Sequence, residues 1–390
     1  MTRFPAGFVA LIGALVLLAG CEVVVPNEFE CGGGTTATHA DQAVLWDGYS
    51  YQWEDLSHRV SFLRAGVSVP GEDGFAHRMG IGGGPWADGS SYRDIPHFAN
   101  GHTTLDAAAS GLVAHYGEAE IGIGPDGRGF STVDLDLDEI DLPERTDYVV
   151  GLRGFCFNTD VPLTEGYAGS YDPYKGWTPQ AWGARVSDTQ QDGRGLSFLT
   201  ELRFEAGALD RSDHNEAVPF QQLRGSVQYV VLALDTLGVT RATVAASVYH
   251  RSEGEAHSYI PGLPEETLTA TMELPVGGTT AFPVLRAWQQ VLNEDTDPER
   301  RGRYLRAWTS RLDRFDYDGE TGAASASMDL YLSHSSFSQE GDLEVEHSGE
   351  FDVVVLDDEE AHVDRALTTG RLDALGPVDV PAPLPAPPAE

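Results

Sequence analysis

Val133-Asp134-Leu135-Asp136-Leu137-Asp138 decides the fold class. Successive side chains of a β-strand point to opposite faces, so this stretch puts three aliphatic groups on one side and three carboxylates on the other. It reads as a strand with one buried and one solvated face, and the signal recurs along the chain. Asp147–Phe157 reads as a more buried strand and Leu196–Phe204 as another. Thr267–Leu274 and Ala324–Leu332 alternate, and Glu344–Leu356 carries the run Val353-Val354-Val355. Val227–Asp235 and Thr240–His250 flank Thr-Leu-Gly-Val and read as a hairpin. Many short strands divided by Gly and Pro predict an all-β chain of sandwich or barrel type.

Helical spacing is scarce. Leu105–His115 places Leu105, Ala108, Ala109, Leu112 and Val113 on one helical face, although Gly111 weakens it. Val284, Leu285, Trp288, Val291 and Leu292 do the same behind Pro283. Both segments predict short helices. Leu305, Trp308, Leu312 and Phe315 share the spacing but run into Asp316-Tyr317-Asp318-Gly319. There a helix and a hairpin leading to the Ala324 strand stay open as alternatives. The polar, aperiodic stretch Ala206–Ala217 is the candidate boundary. The expectation is two β-sandwich-like domains with few short helices, at 44–210 and 218–375. Residues 376–390 hold six prolines and read as a disordered tail that cannot enter a sheet interior.

The N-terminus carries the most specific signal. Arg3 is the only charge before Glu22, and an apolar run from Phe8 to Leu18 is broken only by Gly13. That run is short for a bilayer span, which needs about 20 residues, but fits a secretory signal. It closes on Leu18-Ala19-Gly20-Cys21. These four residues resemble the lipobox of bacterial lipoproteins, and the resemblance covers residues 1–21. It implies that residues 1–20 are a signal peptide cut before Cys21. It also implies that the Cys21 thiol is acylated, together with the new amino group. Two or more acyl chains anchor stably where one binds only marginally. Glu22 stands where an Asp would favour inner-membrane retention, so the expected location is the outer membrane of a cell envelope. Residues 21–43, with Pro26 and Gly32-Gly33-Gly34, read as a flexible tether.

If Cys21 carries lipid in an oxidising compartment, Cys31 and Cys156 are left to form a disulfide. Closing so long a loop would contribute about 2–5 kcal/mol.

Composition bounds the partners. The chain carries 61 acidic against 25 basic residues, a net charge of −36, and a single lysine, Lys175. Such a charge repels polyanions, so DNA and RNA binding are excluded. A G+C-rich genome explains the arginine bias; a salty habitat is an alternative source of the acid excess. After the signal is removed, 370 residues with 41% hydrophobic content for the whole chain suffice for a large core.

Candidate chemistry comes from three places. His77, His97, His102 and His115 fall near Asp94 and Asp106, the residue types of a zinc site or a hydrolytic base. Asp316-x-Asp318-Gly319 and Asp295-x-Asp297 resemble fragments of a calcium loop. Neither supplies the later bidentate Glu, so Asp316–Gly322 reads more simply as a hairpin turn and no cofactor is expected. The Asp134/Asp136/Asp138 row reads as a solvated face. Finally, Tyr167, Tyr171, Tyr174, Trp177 and Trp182 crowd a Gly/Pro-rich stretch, with Trp86, Tyr92 and Phe98 in an earlier one. Rigid rings with polar tips suit contact with a glycan or an envelope protein. The expected function is therefore a membrane-tethered binding or structural module; the alternative is an envelope hydrolase using the 77–115 stretch.

Overall fold

The computed structural model describes residues 36–52, 60–70, 78–83, 97–145, 148–159, 177–208, 223–253, 259–260, 266–294, 303–336 and 340–371. These residues form strands β1 (Ala37–Ala40), β2 (Gln42–Gln52), β3 (Val60–Gly66), β4 (Arg78–Gly83), β5 (His97–Asp106), β6 (Val113–Ile123) and β7 (Arg128–Asp136). Then follow β8 (Tyr148–Thr159), β9 (Trp177–Asp192), β10 (Gly195–Ala208), β11 (Leu223–Ala233), β12 (Gly238–Glu253) and β13 (Tyr259–Ile260). The chain continues with β14 (Glu266–Glu273), β15 (Thr280–Glu294), β16 (Arg303–Tyr317), β17 (Ala323–Ser336), β18 (Glu340–Leu356) and β19 (His362–Arg371). The all-β expectation holds. Among the described residues there is no helix.

Three antiparallel sheets result. Sheet 1 has the order β1-β6-β11-β8-β3-β4, and sheet 2 the order β12-β18-β15-β9-β10-β7. Sheet 3 runs β13-β17-β16-β2-β5-β19, with β14 also paired to β17. Sheet 2 faces both of the others. Its β9–β10 side packs on sheet 1, where Phe198 meets Tyr229 at 5.0 Å and Phe204 meets Phe157 at 4.9 Å. On its other side, Val353 and Val355 of β18 pack against Leu274 and Ala324 beside sheet 3. Two sandwich-like lobes thus share one sheet. The lobes join where β9 pairs β15, over Ala181–Arg185 against Ala287–Val291.

The stretch at 206–217 does not divide the sheets. β11, which follows it, pairs β6 and β8 in sheet 1. Conversely β2 and β5, from the chain's beginning, pair β16 and β19 in sheet 3. The reason is burial: Val230 and Leu232 of β11 join one core cluster and Val227 and Val231 the other, so β11 fits only as an interior strand. The tether also ends earlier than expected, because Ala37–Ala40 already pairs β6.

Three local expectations are corrected. Leu105–His115 is the end of β5, a turn at 108–111 and the start of β6. Val284–Leu292 is strand β15, not a helix. A β-bulge between Leu285 and Ala287 inserts one residue, so Leu285 and Trp288, three apart, lie opposite Phe351 and Gly349 and share a face. The open segment after Leu305 is β16, and a hairpin leads into β17. Its second bulge, between Leu312 and Arg314, puts Leu312 and Phe315 on one side in the same way. Val227–Asp235 and Thr240–His250 are not a hairpin; β11 lies in sheet 1 and β12 pairs β18 in sheet 2. The link between them carries the chain from sheet 1 to sheet 2.

The other strand readings stand, and the proline-rich segment 376–390 lies outside the described residues. Val133 and Leu135 are half-buried, and Asp134, Asp136 and Asp138 are exposed. In β10, Leu196, Phe198, Thr200, Leu202 and Phe204 alternate inward.

Candidate functional site

The three sheets meet at an aromatic junction. Trp46 and Tyr49 come from β2, Phe155 from β8, Trp182 from β9, Trp288 from β15 and Trp308 from β16; all are buried. Trp288 lies at the centre, with ring centroids 5.1 Å from Phe155, 5.2 Å from Tyr49 and 6.1 Å from Trp46. Trp182 meets Trp308 at 5.8 Å. β2 reaches this place through a bulge at Asp47, after which Gly48 takes φ 98°, a left-handed value that favours glycine. A side chain at Gly48 would collide with the Ser310 carbonyl.

Polar groups thread the junction. Trp46 Nε1 donates to Asn100 Oδ1 at 2.8 Å, and Asn100 Nδ2 donates to the Gly66 carbonyl at 2.7 Å, joining sheets 3 and 1. Trp182 Nε1 donates to the Tyr49 hydroxyl at 3.2 Å, joining sheets 2 and 3. Burial pushes the Tyr49 phenol up, so it stays protonated. Gln290 Nε2 donates to the Thr309 carbonyl at 3.2 Å. Below the junction, Arg286 occupies the β15 bulge. Its guanidinium donates to Asp352 Oδ2 at 2.8 Å and twice to the Val186 carbonyl, tying β9, β15 and β18 together.

The sequence-predicted histidines are not brought together. His77 and Asp94 lie outside the described residues. His97 opens β5, and Asp106 is exposed at its end. His102 lies in sheet 3, whereas His115 lies in sheet 1. His115 has a structural task. Thr38 Oγ1 donates to the Ile140 carbonyl at 2.9 Å, so it has no second proton for His115 Nδ1 at 3.0 Å. His115 must therefore carry the Nδ1 proton and donate it to Thr38, which pins β1 to β6. Among the described residues no group of three or more His, Cys, Asp or Glu is arranged to hold a metal ion.

Burial lowers three imidazoles. His115 and His347 are each pulled down to about 4, His115 also by the neighbouring Arg153, and His102 moves the same way with Asp364 opposing. The unfolded chain binds protons to these sites near pH 6.5, before the folded chain does. Stability is thus full above that pH and falls as pH drops toward about 4. Melting temperatures of the wild type and His347→Gln should converge between pH 7 and pH 4.5. A constant gap between them would rule out His347 as a contributor.

The calcium-like fragment Asp316–Gly322 is a hairpin turn. Asp318 accepts hydrogen bonds from the Glu320 backbone N–H at 3.0 Å and from Thr321 Oγ1 at 2.7 Å. Asp316 pairs with Arg314. Asp295 and Asp297 lie outside the described residues. In the Asp134/Asp136/Asp138 row, Asp138 pairs with Arg194 and Asp136 accepts the Asp138 backbone N–H.

Of the aromatic stretch, Tyr167, Tyr171 and Tyr174 lie outside the described residues, and Trp177 opens β9. Trp182 is corrected: it is fully buried in a strand and belongs to the core, not to a contact loop. The glycines and Pro179 around it suggested a loop, but β9 is paired along that length to β10 and β15. The junction residues Trp288, Gln290, Ser310 and His347 were missed because two of them sat in an apparent helix. Gln290, beside Val291-Leu292, was the available signal; His347, set among Glu346, Ser348 and Glu350, gave none.

No protein-family model and no curated protein matches the chain. A comparison with solved structures gives "Crystal structure of CghA", at 10% identity over 81% of this chain and 90% of that one. The TM-score is 0.12, so the likeness carries no argument about fold or function.

Proposed function

We propose that the chain is an exported bacterial lipoprotein, held to the envelope by lipid on Cys21 and acting as a binding module. The observation that carries this reading is Leu18-Ala19-Gly20-Cys21 closing an apolar run of signal length. The position of β1 supports it. The tether meets the body at an edge strand of sheet 1, paired on one side to β6. An attachment there leaves the sandwich interiors untouched. The outer membrane is the proposed location, since Glu22 follows the acylated residue.

The proposed partner is a glycan or an envelope protein, met by Tyr167, Tyr171, Tyr174 and Trp177. The flanks of that stretch support this. Thr159 closes β8 opposite Leu223, and Trp177 opens β9 opposite Ala208. Both flanks lie at the same end of the first lobe.

Cys21→Ala should move the protein from the membrane pellet to the soluble fraction; continued pelleting would overturn the anchor. The released protein should still cosediment with isolated cell-wall glycan or washed outer membranes. Tyr171→Ala/Tyr174→Ala should abolish that, and unchanged cosedimentation would remove the loop from the reading.

A Cys31–Cys156 disulfide belongs to the same proposal. Cys156 is buried on β8. Only Cys21 and Cys31 exist to partner it. Lipid on Cys21 leaves Cys31. Digestion without reductant should therefore release a Cys31–Cys156 peptide. A Cys21–Cys156 peptide would sink the pairing and the anchor together.

A further inference from the structure

Gln290 lies directly opposite His347 on β18 and opposite Trp182 on β9. Directly paired residues share a face, with Cβ atoms about 4.5–5.5 Å apart. That face looks at sheet 3, because Gln290 donates to Thr309 and Trp182 donates to Tyr49. On sheet 3, Ser310 lies opposite Tyr49 and so faces back toward sheet 2. Trp288, two residues before Gln290, lines the same side. Four side chains from two sheets thus converge on one interior seam.

Each of the four carries a buried polar atom with no hydrogen-bond partner among the described residues: Trp288 Nε1, Gln290 Oε1, Ser310 Oγ and His347 Nδ1. All four residues are at most 3% exposed. The Gln290 amide orientation is fixed, since its NH2 must be the group that meets the Thr309 carbonyl. Leaving such atoms unpaired in the interior is unfavourable, and neighbouring Trp182 and Tyr49 are paired. The set is chemically mixed. The indole donates, the amide oxygen accepts, and the serine hydroxyl does both. Burial keeps the imidazole neutral. The nearby ion pair Arg185–Glu350 belongs to the row through Ala287, on the opposite face of sheet 2. A charged ligand would find no counter-charge in the row Trp182–Gln290–His347.

We propose that the Trp288–Gln290–Ser310–His347 seam is a binding site for an uncharged hydroxyl oxygen, one that donates and accepts at once. That oxygen belongs to a bound water or to the hydroxyl end of a small neutral molecule whose apolar remainder lies against Trp182 and Trp308. The site is independent of the lipid anchor and of the aromatic loop.

A crystal structure of the full chain, resolved finely enough to place single waters, tests it. Density is expected within about 2.7–3.2 Å of at least three of the four atoms. Density the size of one oxygen, with nothing in an organic extract of the protein, assigns water. Extended density, with a neutral hydroxylated compound in the extract, assigns a small molecule. Side chains that hydrogen-bond one another with nothing between them overturn the proposal. Ser310→Ala, a mild change, should lose or displace the bound oxygen. An oxygen that stays in place in that variant also overturns it.

Discussion

Trp288→Ala is expected to lower the stability of the whole molecule by about 3–5 kcal/mol. Trp288 is 1% exposed, and its ring touches residues from β2 and β8, strands of the two other sheets. Removing it opens a hole where three rigid layers meet. A hole between two sheets can close when one sheet slides, but here movement toward one neighbour pulls away from another. The loss should therefore lie at the upper end of the range for buried rings. Denaturant unfolding of the purified protein measures it. Phe130→Ala is the control: that ring is 53% exposed on β7, so the change should stay within about 0.5 kcal/mol. Equal losses in the two variants would mean that the junction does not bear on stability.

Asp352→Ala should cost a similar amount, about 3–5 kcal/mol, for an electrostatic reason. Asp352 and Arg286 are both nearly excluded from solvent, with N–O contact at 2.8 Å. Arg241, half-exposed, holds the other carboxylate oxygen at 3.2 Å. Without the carboxylate, the Arg286 guanidinium keeps only the Val186 carbonyl while remaining charged and buried. The double variant Arg286→Met/Asp352→Leu removes both charges and should recover much of the loss, because no ion is left stranded. If the double variant is less stable than Asp352→Ala alone, the penalty comes from packing and not from the unpaired charge.

Legibility in the sequence followed how many faces of a strand are buried. β7 and β10 have one wet or half-wet face, so alternation is visible and their positions were readable. β15 and β16 were not, because a bulge in each replaces a spacing of two by a spacing of three. Leu285 to Trp288 and Leu312 to Phe315 then imitate one turn of helix. The pairing of strands was less legible still. Nothing local in β2 says that it will lie beside β16, since register across sheets is set by which apolar faces remain to be covered. The same limit applied to the site. The histidines looked like a group because they are close in sequence, yet consecutive strands β5 and β6 belong to different sheets. The residues that do converge at the seam come from β15, β16 and β18.

Sheet 3 also fixes an order of events. β2 and β5 are among the first described strands to be synthesised, and their partners β16 and β19 are among the last. Until those arrive, two strands with apolar faces wait with unpaired backbone edges, a state prone to aggregation. Contacts so distant along the chain also make folding slow. A protein with this topology is exposed to misassembly until β16 and β19 have been made, and the pairing of early strands with late ones sets the length of that exposure.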